Sequence, residues 1–328
     1  MTNLLSDIFS IKTTADFERC CLSVFRFQAA NCKVYREYIN LLQVQPEQVQ
    51  SVEQIPFLPI SFFKTHEIIS GDEQFQKIFT SSGTTGTEPS RHFVKDLKVY
   101  EKSLFDGFNL FYGTPDDYTF LALLPSYLER EGSSLVYMVE KLIEQSGSSD
   151  NGFYLHDFST LYDCLKRLQD NGNKVLLIGV TYALLDFVEK YSLQFPELIV
   201  METGGMKGRR EELSRSEMHE ILRKGFDVKQ IHSEYGMTEL LSQAYSKGNG
   251  IFFSPPWMKI CIRNQYDPFS FLPDETVGGV NVIDLANIYS CAFTETQDLG
   301  RRNENGGFEI LGRFAQSDIR GCNLMYEN

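Results

Sequence analysis

From residue 118 to residue 232, apolar runs that read as buried strands alternate with segments of helical period. The runs are YTFLALL (118–124), GFYLH (152–156), KVLLIGV (174–180), ELIVM (197–201) and VKQIH (228–232). Between them lie SSLVYMVEKLIEQS, DFSTLYDCLKRLQD, YALLDFVEKY and REELSRSEMHEILRK. Strands apolar on both faces need cover on both, and strands joined through helices run parallel. The stretch therefore predicts an α/β fold built on a parallel sheet covered by helices. Upstream, residues 14–42 read as amphipathic helix with Phe17, Cys20, Cys21, Val24, Phe27 and Ala30 on one face and a threonine cap at the start. Beyond residue 250 the pattern changes to shorter pieces, GIFFS, MKICIR, GGVNVIDL and FEILG, separated by Pro and Gly. These predict an antiparallel annex, not a separate domain.

In an open parallel sheet, ligands collect outside the carboxyl ends of the strands. The loops there are PSYLEREGSS, ETGGMKG and SEYGMTE, each richer in charge, glycine or hydroxyls than a simple connector needs. Glu129 and Arg130 of the first read equally as a surface ion pair or as substrate-side groups. A fourth loop, FTSSGTTGTEPSRHF (79–93), carries the hydroxyls of Ser81, Ser82, Thr84 and Thr85 and the uncovered amides around Gly83 and Gly86. Together they make a nest able to wrap an oligophosphate; alone, such a stretch also serves as a polar linker. It is not a GxxxxGK[ST] loop, because no Lys-Ser/Thr pair follows Gly86 and Arg91 comes only after Glu88 and Pro89.

Composition bounds the partners. With 328 residues, 42% hydrophobic and 13% aromatic, the chain can bury a sizeable core as one large or two ordinary domains. A net charge of −13 argues against nucleic acid, so bound phosphate must be held by local donors and a metal. Seven cysteines, with no C-x-x-C, indicate neither a disulfide framework nor a zinc ribbon, and imply reduced thiols in a cytoplasm. The opening MTNLLSDIFSIKTTADFERC lacks the basic start and cleavage site of a signal peptide. KVLLIGVTYALLDFV, interrupted by Thr181 and Asp186, is shorter than the ~20 apolar residues that span a bilayer. A soluble cytoplasmic protein with no transmembrane segment is expected. His66, His92, His156 and His219 share no metal-ligand spacing, and His232 reads as a structural strand-end residue.

Four motifs stand in a telling order: SSGTTG (81–86) with Pro89 and Arg91, YGMTE (235–239), TQDLGR (296–301) and GFEILGR (307–313). In this the chain resembles the adenylate-forming superfamily of acyl- and aryl-CoA synthetases, peptide-synthetase adenylation domains and luciferases. PFLPISFFK (56–64), LPSYLEREGSSLVYM (124–138) and ETGGMKG (202–208) resemble, more narrowly, the LuxE-type acyl-protein synthetases of fatty-acid reductase systems. The likeness runs through most of the chain.

That resemblance implies ATP and Mg²⁺ as cofactors and activation of a carboxylic acid, a fatty acid on the narrower match, as an acyl-adenylate that then acylates a thiol. Ser81, Ser82, Gly83, Thr84, Thr85 and Gly86 would hold the phosphates. Glu239 would bind Mg²⁺ and Thr238 reach a phosphate oxygen, while Tyr235, next to Gly236, would stack on adenine. Gly204 and Gly205 would let the backbone approach the base, and Asp298, supported by Arg313, would accept the ribose hydroxyls. Arg91 stands where the superfamily has lysine. Cys322, six residues from the end, matches the acyl-carrying cysteine of the LuxE type, though it reads equally as a small buried apolar residue. An acyl-reductase or acyltransferase would be the protein partner.

The resemblance also frames the domains: residues 1–311 as an AMP-binding large domain and 312–328 as a short tail. Only seventeen residues run from Gly312 to Asn328 and no lysine follows Lys259, so the small mobile C-terminal domain with its catalytic lysine is expected to be absent. Thr87 and Glu88 precede the proline where the superfamily usually has one residue. Two other readings stay open: an acyl- or aryl-CoA ligase related to phenylacetate-CoA ligase, and a non-catalytic nucleotide-binding assembly subunit that kept the fold.

Overall fold

The computed structural model describes residues 2–72, 74–81, 88–125, 131–204 and 213–314. Ser82 to Thr87, Glu129, Arg130, Gly205 and Cys322 lie outside the described residues. Helix α1 (Thr2–Ile8) leads into α2 (Thr14–Asn31), which starts on a reciprocal cap between Thr13 and Asp16. The single helix expected over 14–42 is two. Cys32 is extended (φ −95°, ψ 107°), bridges Ser70, and separates α2 from α3 (Lys33–Leu41). The buried face also differs: Phe25, Gln28 and Ala29 join Phe17, Cys20, Cys21 and Val24, while Phe27 is half-buried and Ala30 exposed. The Gln28 amide explains the rotation. It donates to the Asn287 and Ile288 carbonyls at 2.9 and 3.0 Å and accepts from the Ala292 amide at 3.0 Å, so a polar anchor turns that stripe inward.

Strand β1 (Leu58–Pro59) and the short α4 (Phe62–Thr65) follow, then the hairpin β2 (Lys77–Thr80) and β3 (Arg91–Val94) and helix α5 (Leu97–Tyr112). The alternating region comes next: β4 (Thr119–Leu123), α6 (Ser134–Ser146), β5 (Gly152–Phe153), α7 (Phe158–Asp170), β6 (Val175–Val180), α8 (Thr181–Lys190), β7 (Ile199–Thr203), α9 (Arg215–Phe226), β8 (His232–Tyr235) and β9 (Ala244–Ser246). Their sheet runs β5-β4-β6-β7-β8-β9, parallel except for β9. Every residue of β4 and β6 is buried, as unbroken apolar runs in a two-sided sheet require. Four of the five expected strands fall where the runs lie. The fifth is displaced: VKQIH mostly connects α9 to the strand His232–Tyr235.

Past residue 250 come β10 (Met258–Arg263), β11 (Gly278–Asp284), β12 (Phe293–Arg302) and β13 (Phe308–Arg313). They form a second sheet, antiparallel but for β1, which pairs parallel with β12. GIFFS is no strand; Phe252 and Phe253 make isolated bridges to Phe308 and Tyr245. The ten-residue β12 escaped sequence reading, because its TETQD stretch interrupts the apolar pattern. A cluster of Tyr235, Leu240, Phe252, Ile260, Val280 and Phe308 packs the annex against the end of β8. Among the described residues no helix is long and apolar enough to cross a membrane.

Candidate active site

The strand order reverses between β4 and β6, so the crevice at their carboxyl ends is the place where an open α/β sheet takes its ligand. The β2–β3 hairpin reaches it. The Thr80 amide donates to the Gly132 carbonyl at 2.8 Å, and the Thr80 hydroxyl donates to the Glu131 carbonyl at 3.2 Å, tying the hairpin to the loop after β4. Gly132 (φ +84°) is required there, since a Cβ would fall 2.8 Å from the Thr80 hydroxyl. Ser81 and Ser90 close the hairpin: the Ser81 amide donates to the Ser90 carbonyl at 3.0 Å, and the Ser90 amide donates to the Ser81 hydroxyl at 2.8 Å. Arg91 follows on β3, its guanidinium 5.6 Å from the Phe93 ring centroid.

At the neighbouring strand ends the side chains are short and hydrogen-bonded. Thr181 donates to the Gly204 carbonyl at 2.9 Å, and Gly204 (φ +67°) turns the chain away from β7. Thr203 donates to Glu234 at 2.6 Å. At Gly236 a Cβ would fall 2.3 Å from a Glu234 carboxyl oxygen, so any larger residue there displaces that side chain from its place. Glu202, buried beside them, has Arg215 at 3.9 Å and His219 at 3.7 Å. Burial pushes the Glu234 carboxyl up to about 7, against the Thr203 hydroxyl and with help from Glu202.

The motif residues converge one step further on. The Tyr235 hydroxyl donates to one oxygen of Asp298 at 2.9 Å, and Arg313 Nε donates to the other at 3.0 Å, joining β8 to β12 and β13. The Tyr235 ring is 9% exposed and held edge-on by Phe252 and Phe308. Glu239, 5% exposed, stands close enough for the charges of Arg313 and Asp298 to act on its carboxyl. Burial raises that carboxyl, and the Ser90 hydroxyl from the hairpin offsets part of the rise. Asp298 lies in mid-strand on β12, where its partners fix both oxygens.

An under-compensated buried carboxylate suits a hard divalent cation. Among the described residues no three His, Cys, Asp or Glu side chains gather as a metal cage. Mg²⁺ needs none, since it takes one or two carboxylates plus water and phosphate oxygens. The donor set at Glu239 fits that ion.

Sequence reading missed the supports of this site. His92, Asp284 and Asn287 hold the backbone behind Thr238 and Glu239, although 146 positions separate His92 from its partner and 48 separate Asn287 from its own. No spacing signal reaches across such distances. His232, by contrast, shares a hydrogen bond of 3.0 Å with Tyr112 away from the cluster.

No protein-family model matches the chain. Over 70 residues it is 33% identical to a long-chain-fatty-acid–luciferin-component ligase of Photorhabdus luminescens, which covers 21% of this chain and 60% of that ligase. A 2-hydroxyisobutyryl-CoA ligase, solved with 2-HIB-AMP and CoA, superposes on 95% of this chain and 73% of its own, with a TM-score of 0.67 and 12% identity. ATP-bound MatB from Rhodopseudomonas palustris matches 72% of this chain and 47% of its own, with a TM-score of 0.54 and 18% identity. The chain thus spans under two thirds of the fatty-acid ligase and about half of MatB. The resemblance read from the motifs holds in kind: over 70 residues, and not through most of its length, this chain is similar in sequence to a LuxE-type ligase, and it has the α/β fold of the adenylate-forming ligases.

Proposed function

We propose that the chain is an ATP- and Mg²⁺-dependent acid–thiol ligase that activates a fatty acid as its acyl-adenylate and passes the acyl group to a cysteine. The observation that supports it best is the joining of Tyr235, Asp298 and Arg313 beside Glu239 at the carboxyl ends of the parallel sheet. In the first step a carboxylate oxygen attacks the α-phosphorus of ATP, the bond to the bridging oxygen breaks, and pyrophosphate leaves. In the second a thiol sulfur attacks the acyl carbon and loses its proton as the bond to AMP breaks. Two anions meet in the first step, so positive charge and hydrogen-bond donors must be in place beforehand. Ser81 to Gly86 and Arg91 would supply them on the hairpin, and Glu239 would hold Mg²⁺, which offsets phosphate charge, with Thr238 alongside. Asp298 keeps lone pairs free for the ribose hydroxyls after Tyr235 and Arg313 are served. Gly204, Gly205 and Gly236 would leave room for the base beside Tyr235.

The name of the Photorhabdus ligase supports the fatty acid. In this reading residues 1–311 form the nucleotide domain, 312–328 a tail carrying Cys322, and a cytoplasmic acyl-reductase or acyltransferase receives the acyl group. The six cysteines of the described residues are all buried, and burial raises the thiols of Cys20, Cys21, Cys32, Cys261 and Cys291 above their ordinary value, which disfavours those five as thiolates. The fold match that covers 95% of this chain favours, as a second reading, transfer to coenzyme A.

Incubation with Mg·ATP and a radiolabelled long-chain acid separates these readings. Hydroxylamine-labile label is expected on the protein, and Cys322→Ser is expected to reduce it to background while pyrophosphate exchange continues. Label found only in a CoA thioester favours the second reading. A Cys322→Ser chain labelled as fully as wild type removes Cys322 as the acceptor.

A further inference from the structure

Behind the annex sheet lies a cavity that the adenylation chemistry does not use. On β12, Thr294, Thr296 and Asp298 alternate on the face turned to Tyr235, whereas Glu295 lies on the other face, which covers α3 and the segment before β1. On that side a cavity of about 420 Å³ is lined by Tyr38, Phe57, Phe269, Phe271, Glu53 and Glu295. Small-molecule sites run from about 300 to 1,000 Å³, so its size suits a ligand and not merely a water.

Its aromatic walls are fixed in place. The Tyr38 hydroxyl donates to the Phe57 carbonyl at 3.0 Å, and Phe57 meets Phe271 edge-on with ring centroids 5.8 Å apart. The β10–β11 connection that carries Phe269 and Phe271 is tied by its own hydrogen bonds. The Asn264 amide donates to the Ser270 carbonyl at 2.9 Å, the Leu272 amide to the Ile262 carbonyl at 2.7 Å, and the Phe269 amide to the Asp267 carboxylate at 3.2 Å. That connection holds the Phe269 ring 60% exposed, against the ordinary gain from burying a phenyl group.

The charge on the walls is negative. Among the described residues no lysine, arginine or histidine lines the cavity. Glu53 is exposed, and its own backbone amide and the Ser51 hydroxyl hold its carboxyl below the ordinary range. The Glu295 side chain is 25% exposed and has Arg263 at 3.5 Å. Arg263 is committed elsewhere: it donates to the Val280 and Thr296 carbonyls and to Asn281, with the Phe314 ring 5.3 Å away. Burial raises the Glu295 carboxyl in spite of it.

Aromatic rings attract positive charge, and an under-compensated carboxylate takes the N–H donors that come with it. We propose that this cavity is a second ligand site that takes a small organic cation, an ammonium or guanidinium group on a hydrophobic body, with the charge at Glu295 and the body among Phe57, Phe269 and Phe271. The two carboxylates repel a fatty acid, so the cavity is not the acid's place in the adenylation reading. The proposal stands whether or not that reading does.

Ligand-observed NMR titration with phenethylammonium tests it, against hydrocinnamate, which carries a carboxylate on the same two-carbon chain. The cation is expected to bind, and Glu295→Gln to weaken it about tenfold, as loss of a hydrogen bond to a charged group does. Phe269→Leu keeps an apolar rim without the aromatic face and is expected to weaken it about 2–5-fold. Because Phe269 is exposed, its variant also covers the case in which Glu295→Gln does not fold. Hydrocinnamate is expected to show no binding that these variants weaken. Absence of cation binding up to about 10 mM overturns the proposal. So does cation binding that either folded variant leaves as tight as wild type. Cation and anion bound equally, and both weakened by Phe269→Leu, overturn it as well, since the cavity then selects only the apolar body.

Discussion

Glu239→Ala is expected to slow acid-dependent exchange of pyrophosphate into ATP by about 10²–10³-fold, the usual cost of removing one preorganised charge partner from a phosphoryl or acyl site. High Mg²⁺ should recover part of the rate, because the lesion is in metal affinity. Asp298→Ala should behave differently, raising the ATP concentration needed for half-maximal exchange while leaving the Mg²⁺ requirement alone. The distinction follows from geometry. Glu239 is buried, with Ser90, its own backbone amide and the charge of Arg313 offsetting part of that burial, whereas both Asp298 oxygens are held by Tyr235 and Arg313 on the annex side. Asp298→Ala also strands the Tyr235 hydroxyl, so Asp298→Asn serves as the control that keeps shape. Exchange measured across Mg²⁺ and ATP concentrations separates the two; interchanged phenotypes, or wild-type kinetics in both variants, contradict the assignment.

Glu234→Gln should stabilise the fold at alkaline pH by about 3 kcal/mol, a hundredfold or more in the folding constant. Its carboxyl sits near 7 in the folded chain against an ordinary 4.5, chiefly from burial, with Glu202 adding and Thr203 subtracting. A raised acid binds its proton more tightly folded than unfolded. Its contribution is therefore complete below pH 4.5 and is lost as pH rises through about 7. Glutamine stays neutral throughout and can still accept from Thr203. Denaturation of the two chains in parallel should give curves that coincide near pH 4.5 and diverge toward pH 8. A pH-independent difference would show that Glu234 is not held protonated by its surroundings.

The parallel sheet was legible because its strands are unbroken apolar runs such as VLLIGV, which no other arrangement covers so completely. The annex was half legible: MKICIR and GGVNVID gave their strands away, but β12 was hidden by Thr294, Glu295, Thr296 and Asp298. Thr294, Thr296 and Asp298 alternate on the buried face, where the Thr296 hydroxyl donates to the Val280 carbonyl and Asp298 meets Tyr235 and Arg313, while Glu295 lies on the other face, so buried polar partners masked the strand. The break at Cys32 depends on a bridge to Ser70, a contact the helical pattern of 14–42 cannot announce. At the site, Tyr235, Asp298, Arg313 and Glu239 were legible as motif residues. The buried polar residues behind them, His92, Asp284 and Asn287, read as ordinary hydrophilic positions until the fold closed around them.

Adenylation of a carboxylic acid by this chain is the proposed function. The most direct measurement is incorporation of labelled pyrophosphate into ATP by the purified chain, with a panel of short, long and aromatic carboxylic acids, with and without a Mg²⁺ chelator. Exchange is expected to depend on an acid, to be strongest with long-chain acids, and to disappear when Mg²⁺ is removed. ATP binding without exchange for any acid in the panel would contradict it and leave the chain a nucleotide-binding subunit.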